Sequence, residues 1–299
     1  MTKMKTVTPA RLVVVGSDIS DGAKTAVARA ALIARGADCR LLVVNVVAEN
    51  AAAPVVPLAG EWGASATPAW SQGGGRTALL EAARTAEQRI AAEIGIPDAE
   101  AIVRTGKPHE ALMQVAEQRG ARLLVLGVHA PLAPHESFFL GSTTERALRT
   151  GSTPVLLARR DDHRAYGRIL VPVDLGDVSM SILRLVAETF PDAAYDVVHF
   201  LSPMTSKVVT HKERHSTFMA SLSGLALGAG LSPARTRVRV FIAEAREGIL
   251  AEVKSRQPDL IVMGTHAKTG VARVLLGSVA DYVLHAAAGV DVLVVPPVK

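Results

Sequence analysis

The chain has little with which to cross-link itself or to stack on a flat surface. Its 299 residues include one cysteine, Cys39, so neither an internal disulfide nor a cysteine-based zinc site can form within one chain. Cys39 stands just before an apolar run and reads as a small buried hydrophobe in a reducing compartment. Aromatic residues make up 4% of the chain. The net charge is +5, but Lys and Arg are scattered among Asp and Glu. With no basic run and no set of stacking rings, the composition argues against a dedicated nucleic-acid surface. No uninterrupted apolar run approaches the roughly 20 residues of a membrane span. Met1 to Ala10 is too short and polar for a signal peptide. The expectation is a cytoplasmic protein with no membrane partner. Catalytic patterns are equally scarce: there is no Gly-x-Ser-x-Gly elbow and no Walker loop, so an enzyme is not expected. His211 and His215 are spaced i, i+4, but no further ligand accompanies them and Glu213 is not placed as in His-Glu-x-x-His. They read as a polar helix face, and no metal site is expected.

What the chain does have is apolar residues, 49% of the total, arranged in short runs that alternate with helical patterns. Leu12–Val15, Leu41–Val47, Ala101–Arg104, Leu123–Leu126 and Pro154–Leu157 read as strands. Helical patterns over 21–35, 76–94, 108–119 and 142–150 separate them. The stretch 49–75, rich in Ala, Pro and Gly and carrying Trp62 and Trp70, reads as a long loop of the kind used as a lid. A charged, polar stretch, Arg159 to Gly167, reads as a linker. After it the order repeats: Arg168–Val171, Val197–Phe200, Thr236–Phe241, Leu260–Met263 and Val290–Val295 are strands, with helices over 206–229 and 244–255 and again after Gly277. Two domains follow, 1–160 and 165–299. Strands that alternate with helices argue for parallel sheets covered on both faces.

The most informative stretch is Leu260 to Pro296. A buried strand ends on Gly264, a polar loop follows, and Gly277-Ser278 opens a helix. Ligands of open α/β sheets bind at that carboxyl end. Backbone N–H groups at a helix start attract phosphate. Ser278 with Asp281, and Ser142 with Glu145, have the spacing of capping boxes.

At these residues the sequence resembles the universal stress proteins. Nucleotide-binding members of that family carry a Gly, two residues, a Gly, nine residues, then Gly-Ser or Gly-Thr. Here Gly264, Thr265 and His266, then Ala267, then Lys268 to Leu276, then Gly277-Ser278 fit that frame. Ala267 stands where the pattern has its second glycine, whose lack of a side chain lets the backbone approach phosphate closely. In the first half Gly127 leads through Val128, His129 and Ala130 to Pro131, and the spacer before Gly141-Ser142 is one residue longer. Pro131 and Pro134 stiffen that loop and remove donors.

The resemblance covers almost the whole chain as two tandem copies. It implies two flavodoxin-like α/β domains of the adenine nucleotide alpha hydrolase-like kind, each a five-stranded parallel sheet of order 3-2-1-4-5. It implies a stress-response regulatory module binding ATP, with or without Mg2+, mainly in the second domain. The first domain, with its degenerate motif, is expected to bind poorly. Matched to the family, the second site comprises Pro172, Val173, Asp174, Phe200, Met263, Gly264, His266, Ala267, Lys268, Gly277, Ser278 and Val279. Its counterpart in the first half comprises Asp18, Val46, Gly127, Gly141 and Ser142. Asp18 and Asp174 equally suit loop caps, Val46 and Phe200 equally suit the core, and Lys268 and Arg273 equally suit solvated charges. Weak ATP hydrolysis stays open, without a visible general base. The alternative reading is a structural or interaction protein with vestigial pockets. Because the fifth strands are short, apolar and at an edge, they invite pairing. An intramolecular pseudo-dimer through them is expected, with a homodimer of chains optional.

Overall fold

The computed structural model describes residues 11–47, 76–93, 95, 99–128, 141–203, 211–265 and 276–297. The expected long loop with Trp62 and Trp70, and the loops carrying His129, Pro131, Pro134, His266, Ala267, Lys268 and Arg273, lie outside those residues.

In chain order the first half is β1 (Leu12–Ser17), α1 (Asp21–Gly36), β2 (Arg40–Val47), α2 (Arg76–Glu93), β3 (Glu100–Thr105), α3 (Pro108–Gln118), β4 (Leu123–Gly127), α4 (Ser142–Thr150) and β5 (Val155–Ala158). The second half repeats it as β6 (Arg168–Pro172), α5 (Asp177–Thr189), β7 (Ala194–Leu201), α6 (His211–Gly228), β8 (Thr236–Ile242), α7 (Ala245–Arg256), β9 (Leu260–Gly264), α8 (Ser278–Ala286) and β10 (Asp291–Val295).

The ten strands form one sheet of order β3-β2-β1-β4-β5-β10-β9-β6-β7-β8. Each half is thus a parallel 3-2-1-4-5 sheet. The two join where β5 and β10 run antiparallel, with Leu157 opposite Val292 and Val155 opposite Val294. The apolar edges are buried against each other: Leu156, Leu157, Val292 and Leu293 are fully buried. One chain therefore satisfies internally the ladder groups that each half would otherwise leave open.

Successive residues of a strand face opposite ways, so the sheet divides the apolar residues into two layers. Val13, Val43, Leu183 and Leu222 pack on one face with α1, α5 and α6. Val14, Val44, Leu112, Ile249 and Leu284 pack on the other with α3, α4, α7 and α8. Cys39 is only partly buried and precedes β2, and burial raises its thiol pKa. His215 is exposed on α6, as a polar helix face requires.

The stretch 159–167 is more than a solvated linker. Asp291, fully buried at the start of β10, accepts the Arg159 and Arg160 amides at 2.7 and 2.9 Å and the Tyr166 hydroxyl at 2.6 Å. Its other neighbour is Arg29 of α1, whose Nε lies 3.0 Å from Asp291 Oδ2 and whose side chain is 2% exposed. Arg29 also pairs with Asp162 at 2.5 Å and lies over the Tyr166 ring at 4.7 Å. Arg159 turns to the carboxyl end of α8 and donates to Leu284 O and Ala287 O. Burial lowers the Arg159 guanidinium to about 10, against the favourable pull of Asp291. The connection is charged because it ties the two halves around a buried carboxylate.

Burial, and then the charge of Asp291, push the Tyr166 hydroxyl well above its usual value. The folded state keeps this proton where the unfolded chain gives it up, near pH 10. The stability that Tyr166 contributes is therefore complete below about pH 10 and falls as pH rises beyond it. Urea unfolding followed from about pH 9 to 11 should show a steeper loss in the wild type than in Tyr166→Phe. Parallel curves would remove this account of Tyr166.

Candidate functional site

The first half holds an open cleft at the carboxyl ends of β1, β2 and β4. Counted out into the open solvent at its mouth, it measures about 610 Å3. Gly16, Val44, Val46 and Leu126 form its floor, Pro108 and Leu112 of α3 one wall, and Ser20 and Gly22 of α1 another. Thr143 and Thr144, in the first turn of α4, close it.

Local chemistry explains these positions. Ser20 caps α1, its hydroxyl accepting the Ala23 amide at 3.2 Å. Asp18 accepts the Ser20 amide at 3.1 Å and the Ser20 hydroxyl. Ile19 between them has φ 67, the left-handed region. In the second half Asp174 accepts the Gly176 amide at 2.9 Å and the Ser179 hydroxyl at 3.0 Å, with Leu175 at φ 62. Both aspartates brace their own turns and both are exposed at the mouth of their site. Gly127 ends β4 against α1: a side chain there would place its first carbon 2.3 Å from the Gly22 carbonyl oxygen. The absent side chain is what lets β4 and the start of α1 meet at the cleft.

The helix starts differ from the capping boxes expected of Ser142 and Ser278. Gly141 and Gly277 occupy the cap positions, and no side chain caps either helix. Ser142 and Ser278 are the first helical residues, and both are exposed. A hydroxyl at the first helical position points away from the amides that a capping residue reaches. The α4 and α8 starts therefore lack side-chain acceptors for their first amides, the condition under which an anion is favoured. Gly141 has φ 75, a conformation that favours glycine; Gly277, at φ −63, does not require it.

Strand register sets the two halves side by side. Leu12 pairs with Arg40 as Arg168 pairs with Ala194, which makes Gly16 equivalent to Pro172, Ser17 to Val173, Asp18 to Asp174, and Val46 to Phe200. The matched starts of α4 and α8 make Thr143 and Thr144 equivalent to Val279 and Ala280. The first cleft is polar where the second is apolar: Ser17, Ser20, Thr143 and Thr144 face Val173, Gly176, Val279 and Ala280. Val128 and Thr265 reverse the pattern; Thr265 is buried, with no hydrogen-bond partner for its hydroxyl among the described residues.

In the second half Val173 and Met263 are buried in the wall, and the Val173 carbonyl contacts His199 Nδ1 at 2.8 Å. Phe200 stacks on Phe241, ring centroids 5.5 Å apart, and lies against Gly248 of α7. Behind the first cleft Glu87 of α2 is fully buried and accepts Asn45 Nδ2 at 2.8 Å. Burial raises its carboxyl pKa, against hydrogen bonds from Asn45 and Ser17.

The described residues thus bring Asp18, Val46 and Gly127 together in one cleft, while Gly141 and Ser142 stand at the α4 start just before Thr143, which lines it. Pro172, Asp174, Phe200, Gly264 and Gly277 occupy the equivalent places. His266, Ala267 and Lys268 fall outside the description. Sequence reasoning missed Gly16, Ser20, Leu112, Thr143 and Thr144. A residue-by-residue match of the two halves, polar against apolar, would have flagged the hydroxyls. Among the described residues no group of three or more His, Cys, Asp or Glu side chains is placed to hold a metal ion, and no helix is long and apolar enough to cross a membrane.

Three comparisons place this architecture. The model of the universal stress protein family matches twice, over residues 10–159 and 165–296. A universal stress protein of Mycobacterium tuberculosis is 25% identical over 286 residues, covering 92% of this chain and 94% of the relative. One from Thermus aquaticus is 33% identical over 149 residues, 50% of this chain and 98% of its own length. The crystal structure of a universal stress protein from Archaeoglobus fulgidus superposes with a TM-score of 0.68 at 16% identity, covering 97% of this chain and 99% of that one.

Proposed function

Since the chain belongs to the universal stress protein family as two tandem copies, we propose that it is a stress-response regulatory module that binds an adenine nucleotide. The ligand is ATP, with or without Mg2+, held at the carboxyl ends of the strands in the cytoplasm. The module binds and signals rather than turning substrate over.

The observation that carries this reading is the cleft of the first half. It lies where ligands of open α/β sheets bind. It joins an apolar floor, Val44, Val46 and Leu126, suited to a base, to a helix start with no side-chain cap at Gly141, suited to phosphate. Thr143 and Thr144 add hydroxyl donors at the same end. If Mg2+ accompanies the phosphates, Asp18 is the carboxylate at the mouth and would neutralise part of its charge. Nucleotide occupancy would bias the conformation or partner choice of the module only to the extent that it binds one state better.

The sequence frame Gly264 to Ser278 speaks for the second half, and the described cleft speaks for the first. Titration calorimetry with Mg-ATP should show about one site per chain. Mass spectrometry of the small molecule released when the purified protein is denatured should find an adenine nucleotide. If ATP, ADP and AMP all give no binding heat and nothing is released, the nucleotide reading falls. The interaction-protein reading, favoured by the aromatic filling at Phe200, then replaces it.

A further inference from the structure

We propose that Phe200 occupies the base subsite of the second half, so that the two halves are specialised: the first takes the nucleotide base, and the second is closed to any base by its own side chain. This rests on the nucleotide reading above and fixes its location.

Val46 and Phe200 are equivalent by strand register. Val46 forms part of the cleft floor in the first half, with space above it. Phe200 faces the same layer, packed with Phe241 and α7. The helix facing it has changed to match. The pairing of β3 with β2 and of β8 with β7 makes Ala111 of α3 equivalent to Gly248 of α7. A first side-chain carbon at Gly248 would lie 2.2 Å from Phe200 Cε1. A methyl group has thus been exchanged for part of a ring. Valine and alanine together carry fewer side-chain carbons than phenylalanine and glycine. The extra ring carbons take room beside Gly248, on α7, whose counterpart α3 lines the first cleft with Pro108 and Leu112.

Two further changes agree. Phe241 extends the ring stack beneath Phe200 at 5.5 Å, and Arg239 lies over Phe241 at 5.2 Å. Arg239 is held in turn by Glu252 at 2.5 Å and Asp196 at 3.2 Å. The ring is therefore supported from below by a fixed cluster. At the helix start, the hydroxyls of Thr143 and Thr144 are replaced by the alkyl groups of Val279 and Ala280. At this helix start the second half has fewer hydroxyl donors than the first.

The test uses the full-length chain and Mg-ATP. Wild type should bind about one equivalent. Val46→Phe should weaken binding about tenfold or more, because the ring overfills the floor of the first cleft. Phe200→Val should raise the stoichiometry toward two per chain. Two sites in the wild type, or binding that survives Val46→Phe while Phe200→Val changes nothing, would overturn the assignment. If no variant binds ATP, the nucleotide reading has failed, and the filling is then judged by itself. Crystals of Phe200→Val under xenon pressure should show a xenon site at the vacated ring position beside Gly248, and wild-type crystals none. A variant whose wall collapses without a xenon site would show that Phe200 fills no preformed space.

Discussion

Asp291→Ala should cost about 3–5 kcal/mol of stability, the scale for removing one partner of a buried ion pair. The carboxylate is fully buried and accepts two backbone amides and the Tyr166 hydroxyl, with the Arg29 guanidinium beside it. Alanine would leave the Arg29 charge without this partner inside the protein, although Asp162 still reaches it. The urea midpoint is the measurement. The single change Arg29→Met should also destabilise, because Asp291 then loses the guanidinium that lies 3.0 Å from it. The double variant Arg29→Met with Asp291→Leu should recover a large part of the sum, since apolar replacement of a whole buried pair is often close to neutral. Strictly additive effects of the two singles would show that the pair does not act as a unit.

Val292→Pro is the second large effect. Val292 is fully buried, lies opposite Leu157 of β5 and runs parallel to Ile261 of β9. Proline inside a central strand removes a ladder donor and places its ring against a neighbour, a loss of about 3 kcal/mol or more. The break falls at the seam between the halves. Small-angle scattering should therefore report either a larger radius, as the halves separate, or a protein that no longer folds. A variant with unchanged radius and unchanged urea midpoint would mean that the β5–β10 ladder is not what joins them.

Much of the candidate site was legible because its signals are local. Gly127, Gly141, Gly264 and Gly277 mark strand ends and helix starts, and such breaks show as glycine beside an apolar run. Asp18 and Asp174 follow their strands by fixed spacing; each braces its own turn, and Asp18 lines the first cleft. The capping boxes were misread for a geometric reason. Spacing alone does not say whether Ser142 or Gly141 is the last non-helical residue, and one step along the helix turns the hydroxyl away from the amides. Phe200 was legible as a strand residue, but its packing was not, because that depends on Gly248, which belongs to another element. The linker shows the same limit: nothing near Arg159 or Tyr166 announces that both will meet Asp291 and that Arg29 joins them.

The sequence by itself determined the repeat and the alternation of strands and helices, and hence parallel sheets covered on both faces, while the order 3-2-1-4-5 was what the family resemblance implied. Apolar periodicity and turn residues act within a few positions, and the edge character of the fifth strands follows from the order that the resemblance implies. Only the tertiary structure decided how the halves meet and which side chains line the cleft of the first half. Burying Asp291 required a cation from α1 and two amides from the connection, all brought together by β5 running against β10. The space above Val46 is a property of volumes facing one another across a sheet and a helix. Those volumes acquire neighbours only when the chain has folded.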